Sequence, residues 1–302
     1  MTLRSAKTLA IASAIALAGT VSATAHAANW SDTFIGYRFG TQFTEPNNTQ
    51  KIRKNILQFT HASGYDYGQN FLNVDILQSS KKDPTKNEPG HHFQSPYGTT
   101  GATEAYLVYR HQLYVSKLAD ADFSFGPVKD VTLTAGFDLN TKNTEFAPRK
   151  RLLVVGPTFK FDVPKGFVDL SLLYGKEWNH CGICNGPDQR NNVSFNSQFI
   201  ASLAWALPFD AGAVPLKFQG LANFNGPKGR DGQNVKTKSE IMIRASLMAD
   251  VGKMAFDKQN TLWVGVGYEF WHNKFGNRYD AAGNKKPGIR TTAPMLLAEW
   301  HF

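Results

Sequence analysis

Two cysteines in 302 residues, Cys181 and Cys184, exclude a fold that depends on a disulfide framework. Beyond residue 27 no apolar run is long enough to cross a bilayer as a helix, so a helical membrane protein is excluded too; such a helix takes about 20 residues. A glycine-rich phosphate loop is also missing. Gly265 and Gly267 fall inside an alternating segment, where a dinucleotide fingerprint needs a turn opening a helix. Basic residues outnumber acidic ones, 33 to 24, but they fall mostly between apolar segments instead of clustering on one face, which argues against a nucleic-acid partner.

At the N-terminus, Arg4 and Lys7 precede an apolar run of eleven residues, Leu9 to Gly19, and Ala25-His26-Ala27 offers the small residues a signal peptidase reads. The run is too short to span. Residues 1–27 are therefore expected to be a cleaved secretory signal and 28–302 one exported domain. Removing Arg4 and Lys7 takes the formal charge from +9 to +7.

What is present is 13% aromatic residues, 26 glycines and many short alternating segments. With a mean hydropathy of -0.34, this suits either a soluble protein or a membrane barrel, in which only every second residue meets lipid. Alternation bounded by Gly, Pro, Asn and Asp predicts strands near 30–39, 55–63, 67–78, 102–116, 131–140, 151–162, 167–177, 193–207, 214–224, 237–250, 261–272 and 291–302. Their connections sort by parity. Long polar ones (40–54, 79–101, 141–150, 178–192, 225–236, 273–290) alternate with mostly short ones such as Val163-Pro164-Lys165-Gly166. An even strand count with loops sorted in this way predicts an all-β fold, a transmembrane antiparallel β-barrel of twelve strands in the bacterial outer membrane, reached by export through the periplasm. The closing stretch Leu296-Leu297-Ala298-Glu299-Trp300-His301-Phe302 resembles the terminal strand of such barrels, whose last aromatic residue the barrel-assembly machinery reads.

Parity assigns faces. Val131, Leu133, Ala135, Phe137 and Leu139 would meet lipid, while Thr132, Thr134, Gly136, Asp138 and Asn140 would meet a polar lumen. A charge in the lipid midplane costs about 2–4 kcal/mol, so charged faces must turn inward. The predicted lumen residues are Phe34, Arg38, Phe71, Asn73, Asp75, Glu104, Tyr106, Arg110, Glu240, Arg244, Trp263, Glu269 and Trp271, which mix rings with both signs of charge. Aromatic faces suit a flat base, and charged or amide groups suit sugar hydroxyls. The competing reading is that the charges pair within the wall, and that Trp263 and Trp271 belong to an interfacial girdle. Basic residues of the long loops or their edges, among them Lys142, Arg149, Lys150, Arg151, Lys285 and Lys286, would face lipopolysaccharide phosphates or simply solvent.

The stretch from Lys117 to Asp130, KLADADFSFGPVKD, follows a segment beginning Glu104-Ala105-Tyr106. Together with NFLNVDIL (Asn70 to Leu77) and VYRHQL (Val108 to Leu113), it resembles the Tsx-like family of nucleoside-specific outer-membrane channels. The resemblance implies a narrow twelve-stranded barrel that passes nucleosides, some members of the family also serving as phage or bacteriocin receptors. Expected partners are thus nucleosides or other small solutes, outer-membrane lipid and lipopolysaccharide. No cofactor and no covalent chemistry are expected, and a less selective small-solute porin is the alternative.

Two further patterns suggest chemistry. His61 and Ser63, two apart and outward by parity, are similar to the His-x-Ser pair of outer-membrane acyl hydrolases, with His61 as base and Ser63 as nucleophile. His180, Cys181 and Cys184 could supply three zinc ligands, with His91 or His92 as the fourth. In an oxidising compartment the cysteines are expected instead as a short-loop disulfide or two free thiols.

Overall fold

Turn residues and alternation together produce strands β1 (Trp30–Phe43), β2 (Ile52–Tyr65), β3 (Gly68–Ser79), β4 (Thr103–Tyr114), β5 (Val128–Lys142), β6 (Arg149–Phe161) and β7 (Phe167–His180). They continue as β8 (Asn192–Ser194), β9 (Gln198–Ala211), β10 (Val214–Asn225), β11 (Glu240–Asp250), β12 (Leu262–His272) and β13 (Arg290–His301). The computed structural model describes residues 28–87 and 100–302. The expected signal segment, His91 and His92 lie outside the described residues.

Every long strand pairs antiparallel with its neighbours in sequence, and β1 pairs with β13, with Phe34 opposite His301 and Gly40 opposite Met295. That pairing closes the sheet. The three residues of β8 form only a ribbon along the end of β7, so twelve strands make the wall. Closure leaves no edge unpaired among the twelve wall strands, which is what a sheet surrounded by lipid requires.

One end of the barrel has short connections. Gly166, at φ +80, lies in one of them, and a Cβ there would sit 1.8 Å from the carbonyl oxygen of Ala206. Two connections at this end instead carry single helical turns, α1 (Val115–Ala119) between β4 and β5 and α2 (Val251–Phe256) between β11 and β12. The opposite end carries the long loops.

The outer face holds exposed apolar side chains in a continuous series, including Ile35, Leu57, Leu133, Leu153, Val266 and Leu296. The inner face is recognised by pairs that skip strands: Lys217 of β10 reaches Glu299 of β13 at 3.2 Å, and Lys160 of β6 reaches Gln69 of β3 at 3.4 Å. Such contacts cross the interior.

Three expectations need correction. Several strands run past their predicted ends: Lys142 closes β5 and Arg149 and Lys150 open β6, so these residues are wall and not loop, while Arg151 lies in the strand predicted from 151. Lys142 and Lys150 point inward, where a charge can be held at any height. Second, β9 begins at Gln198 because residues 192–194 pair separately with β7. Third, the lumen face is not uniformly polar. Phe43, Ile52, Ile56, Met248, Trp263, Met295 and Leu297 form one buried apolar cluster on it, and Leu152, Val154, Leu173 and Ile200 form another. Long inward side chains lie flat against the wall over inward glycines. At Gly267 a Cβ would come within 2.8 Å of Leu297, and at Gly265 within 2.7 Å of the Met248 sulfur.

Candidate functional site

Strand register places all thirteen predicted lumen residues on the inner face. Around mid-barrel, Arg38 of β1 pairs with Asp75 of β3, and both are buried. Arg244 of β11 donates from Nε and an Nη to a single oxygen of Glu269 on β12, at 3.0 and 2.7 Å. On the facing wall the Tyr106 hydroxyl donates to Asp138 at 2.8 Å and accepts from Lys150 at 2.8 Å, while Arg110 lies 2.8 Å from Asp138. Around the ring β4 and β11 are six strands apart, so the Arg244–Glu269 and Tyr106–Asp138 groups stand on opposite walls, both facing inward. This charged belt is the candidate constriction.

Electrostatically the constriction is nearly balanced. Arg38, Arg110, Lys150 and Arg244 meet Asp75, Asp138 and Glu269. Most charges are committed to wall pairs, as the competing reading holds, but Arg38 Nε is buried without a hydrogen-bond acceptor among the described residues. Beside them Asn73 Oδ1 accepts from Gln58 at 2.8 Å and from Thr60 at 2.7 Å, forming a neutral polar ladder.

The remaining predicted residues spread along the barrel. Phe34 packs at a tilt on His301, with ring centroids 4.7 Å apart, and Phe71, opposite Arg110, is partly exposed toward the short-turn end. Trp263 packs into the apolar cluster with Lys217 4.5 Å from its ring, and Trp271 donates to Glu240 at 2.5 Å; neither is a girdle residue. Glu104 lies 3.9 Å from Lys54.

At the long-loop end a second charged layer closes over the first. Glu45, in the loop after β1, meets Lys54 at 2.6 Å, Lys274 at 3.1 Å and Lys142 at 3.5 Å. Asp83 takes Lys142 at 2.8 Å. Burial pushes the Glu45 carboxyl up, but Lys142, Lys274 and Lys54 together outweigh it and hold that carboxyl well below the ordinary carboxylate range. Backbone contacts fix the layer: Asn47 N–H donates to Pro287 O at 3.0 Å, and Lys274 Nζ donates to Thr44 O at 2.9 Å. Gly288, at φ +69, allows the approach, since a Cβ there would lie 1.9 Å from Glu45 O. Asp138 is lumen-facing as its parity predicts, whereas Lys150, read as a loop cation, belongs to this inner wall. Glu45, Lys54 and Lys274 carry no signal in the sequence that marks them out, and Glu45 and Lys274 are loop residues without a period.

No family model matches the chain, and no curated protein matches it. Among solved structures it is similar to the translocator domain of the autotransporter NalP from Neisseria meningitidis, at 12% identity and a TM-score of 0.45, covering 99% of this chain and 98% of that one. It is also similar to an outer membrane channel from Pseudomonas putida F1, at 13% identity and a TM-score of 0.46, with 90% and 95% covered. The KdgM porin matches at 10% identity and a TM-score of 0.41, with 89% and 99% covered.

The two sequence patterns with chemical potential resolve differently. Cys181 and Cys184 are bonded to each other, which removes both thiolates from a metal set, and His180 Nδ1 lies 3.1 Å from Asn192 Oδ1. Among the described residues no group of three or more His, Cys, Asp or Glu side chains is arranged to hold a metal. His61 and Ser63 stand on the outer face of β2 near the short-turn end, and His61 Nδ1 pairs with the Thr33 hydroxyl at 2.8 Å. A hydroxyl orients the ring where a hydrolase would use an amide or a carboxylate. Purified protein should therefore release no fatty acid from phospholipid vesicles above background, with or without His61→Ala; release that disappears in the variant would restore the hydrolase reading.

Proposed function

We propose that the chain is a bacterial outer-membrane channel for passive, substrate-selective diffusion, with nucleosides as the first solute class. The observation that carries this reading is the pair of inward charged groups on opposite walls, Arg244–Glu269 and Tyr106–Asp138, set inside a closed wall whose outside is apolar. Near charge balance favours a neutral, hydroxyl-rich solute over an ion. Side chains already paired to each other can exchange one hydrogen bond for a solute hydroxyl without stranding a charge, which suits entry followed by release. Phe34, Phe71 and Trp271 offer ring surface on either side of the constriction. The long loops would lie outside the cell facing lipopolysaccharide, with Lys285 and Arg278 among their cations, and would be the surface met by a phage or bacteriocin. The strand β13 would be what the assembly machinery reads.

A less selective small-solute porin is the second reading, favoured by the commitment of Arg38, Arg110 and Arg244 to wall pairs. Swelling of proteoliposomes separates the two. Nucleosides should enter several-fold faster than sugars or amino acids of similar size; equal rates would leave only the porin, and no swelling with any solute would remove both.

A further inference from the structure

Two segments of the chain repeat one pattern: Val115-Ser116-Lys117-Leu118-Ala119 and Val251-Gly252-Lys253-Met254-Ala255. Each is a single helical turn at the short-turn end, and each closes on an aspartate in the left-handed region, Asp120 at φ 47 and Asp257 at φ 53. The first joins β4 to β5 and the second β11 to β12, positions six strands apart in a ring of twelve. They lie diametrically opposite.

Both turns direct large apolar side chains away from the protein. Leu118 is 57% exposed, Met254 47% and Phe256 64%, and α1 buries none of its residues. A turn packed on protein would bury such side chains. Their surroundings indicate what covers them. Phe125, beyond α1, rests edge-on against Phe159 on the outer face of β6, with ring centroids 6.2 Å apart. Near α2 the outer face continues through Leu262, Val264 and Trp300. The apolar side chains of the turns thus continue the outer apolar band. Lys117 and Lys253 form no ion pair among the described residues, while Asp120, Asp122 and Asp257 keep each turn close to neutral.

We propose that α1 and α2 are paired membrane feet, inserting Leu118, Met254 and Phe256 into the phospholipid leaflet at the short-turn end, with Lys117 and Lys253 level with the headgroup phosphates. Two opposed anchors fix the depth of a barrel and resist its tilting, as interfacial side chains do at helix ends. Because each foot is nearly neutral, insertion depends on acyl contact and not on anionic lipid. The inference rests on the membrane reading above, and its test keeps the two apart.

Nitroxide labels at Leu118→Cys, Met254→Cys and, on the outer band, Leu153→Cys would be compared in phosphatidylcholine vesicles with and without phosphatidylglycerol, by collision with oxygen against a water-soluble nickel chelate. All three labels should favour oxygen, with little dependence on phosphatidylglycerol. Oxygen preference at 153 with nickel preference at 118 and 254 would overturn the feet alone. Nickel preference at all three would overturn the feet and the membrane reading together. Phe256→Cys, on a side chain that is 64% exposed, gives a second probe should Met254→Cys fold poorly.

Discussion

Replacing Glu45 by glutamine should open the long-loop end of the barrel and raise single-channel conductance at least twofold. Three ammonium groups converge on that carboxylate within 3.5 Å, and in the variant Lys54, Lys142 and Lys274 would share only Asp83 and Glu104. Removing one partner from a buried charge cluster costs about 3–5 kcal/mol. The strands are held by their own ladder, so that cost falls on the two loop segments, 44–51 and 273–289, that close over the interior. The pH dependence follows from the sign of the shift. A carboxyl whose folded value is depressed contributes stability above its ordinary range and loses it as the pH falls through the folded value. Wild type should therefore hold its low conductance from neutral pH down to about pH 4, the ordinary carboxylate value, and open only below it, while Glu45→Gln is already open at neutral pH. A variant with unchanged conductance would show that the Glu45 layer does not limit flow.

The second large effect concerns selectivity. Arg244→Met combined with Glu269→Gln removes one wall of the constriction without leaving a buried charge alone. The several-fold discrimination between nucleosides and sugars should be lost, a change of about 1 kcal/mol, within the range of one net hydrogen bond. Thermal stability should change little. By contrast, Arg244→Met alone strands Glu269, which is 2% exposed, and should lower stability by about 3 kcal/mol or more. Solute uptake in the double variant, measured beside its melting curve, separates the two effects. Unchanged discrimination in a folded double variant would move the selective site elsewhere in the barrel.

The strand count and the inward face could be read in the sequence because a wall between an apolar outside and a charged inside imposes a period of two on every strand. The pattern Val131, Leu133, Ala135, Phe137 and Leu139 against Thr132, Thr134 and Asp138 carries that information by itself. Strand ends were harder, for a specific reason. Reading clustered charge as loop cuts β5 before Lys142 and delays β6 past Arg149 and Lys150, yet the interior accepts lysine wherever a carboxylate such as Asp83 or Asp138 stands nearby. The apolar clusters inside the barrel were invisible for the opposite reason. Ile52, Ile56 and Met248 pack side by side only because three-dimensional closure brings β2 and β11 within reach. The constriction needed the same closure: Arg244 and Tyr106 lie 138 positions apart in the chain, and only the ring order makes them opposite. Glu45 and Lys274 belong to loops, whose inward folding depends on contacts such as Asn47 to Pro287.

Whether solute crosses the barrel interior is tested most directly by planar-bilayer recording with the purified full-length chain. Discrete, low conductance steps should appear, and a nucleoside added to one side should reduce the current in a concentration-dependent way, whereas a sugar of similar size should not. A chain that inserts into the bilayer and passes no current at neutral pH, in wild type and in Glu45→Gln alike, would contradict the channel.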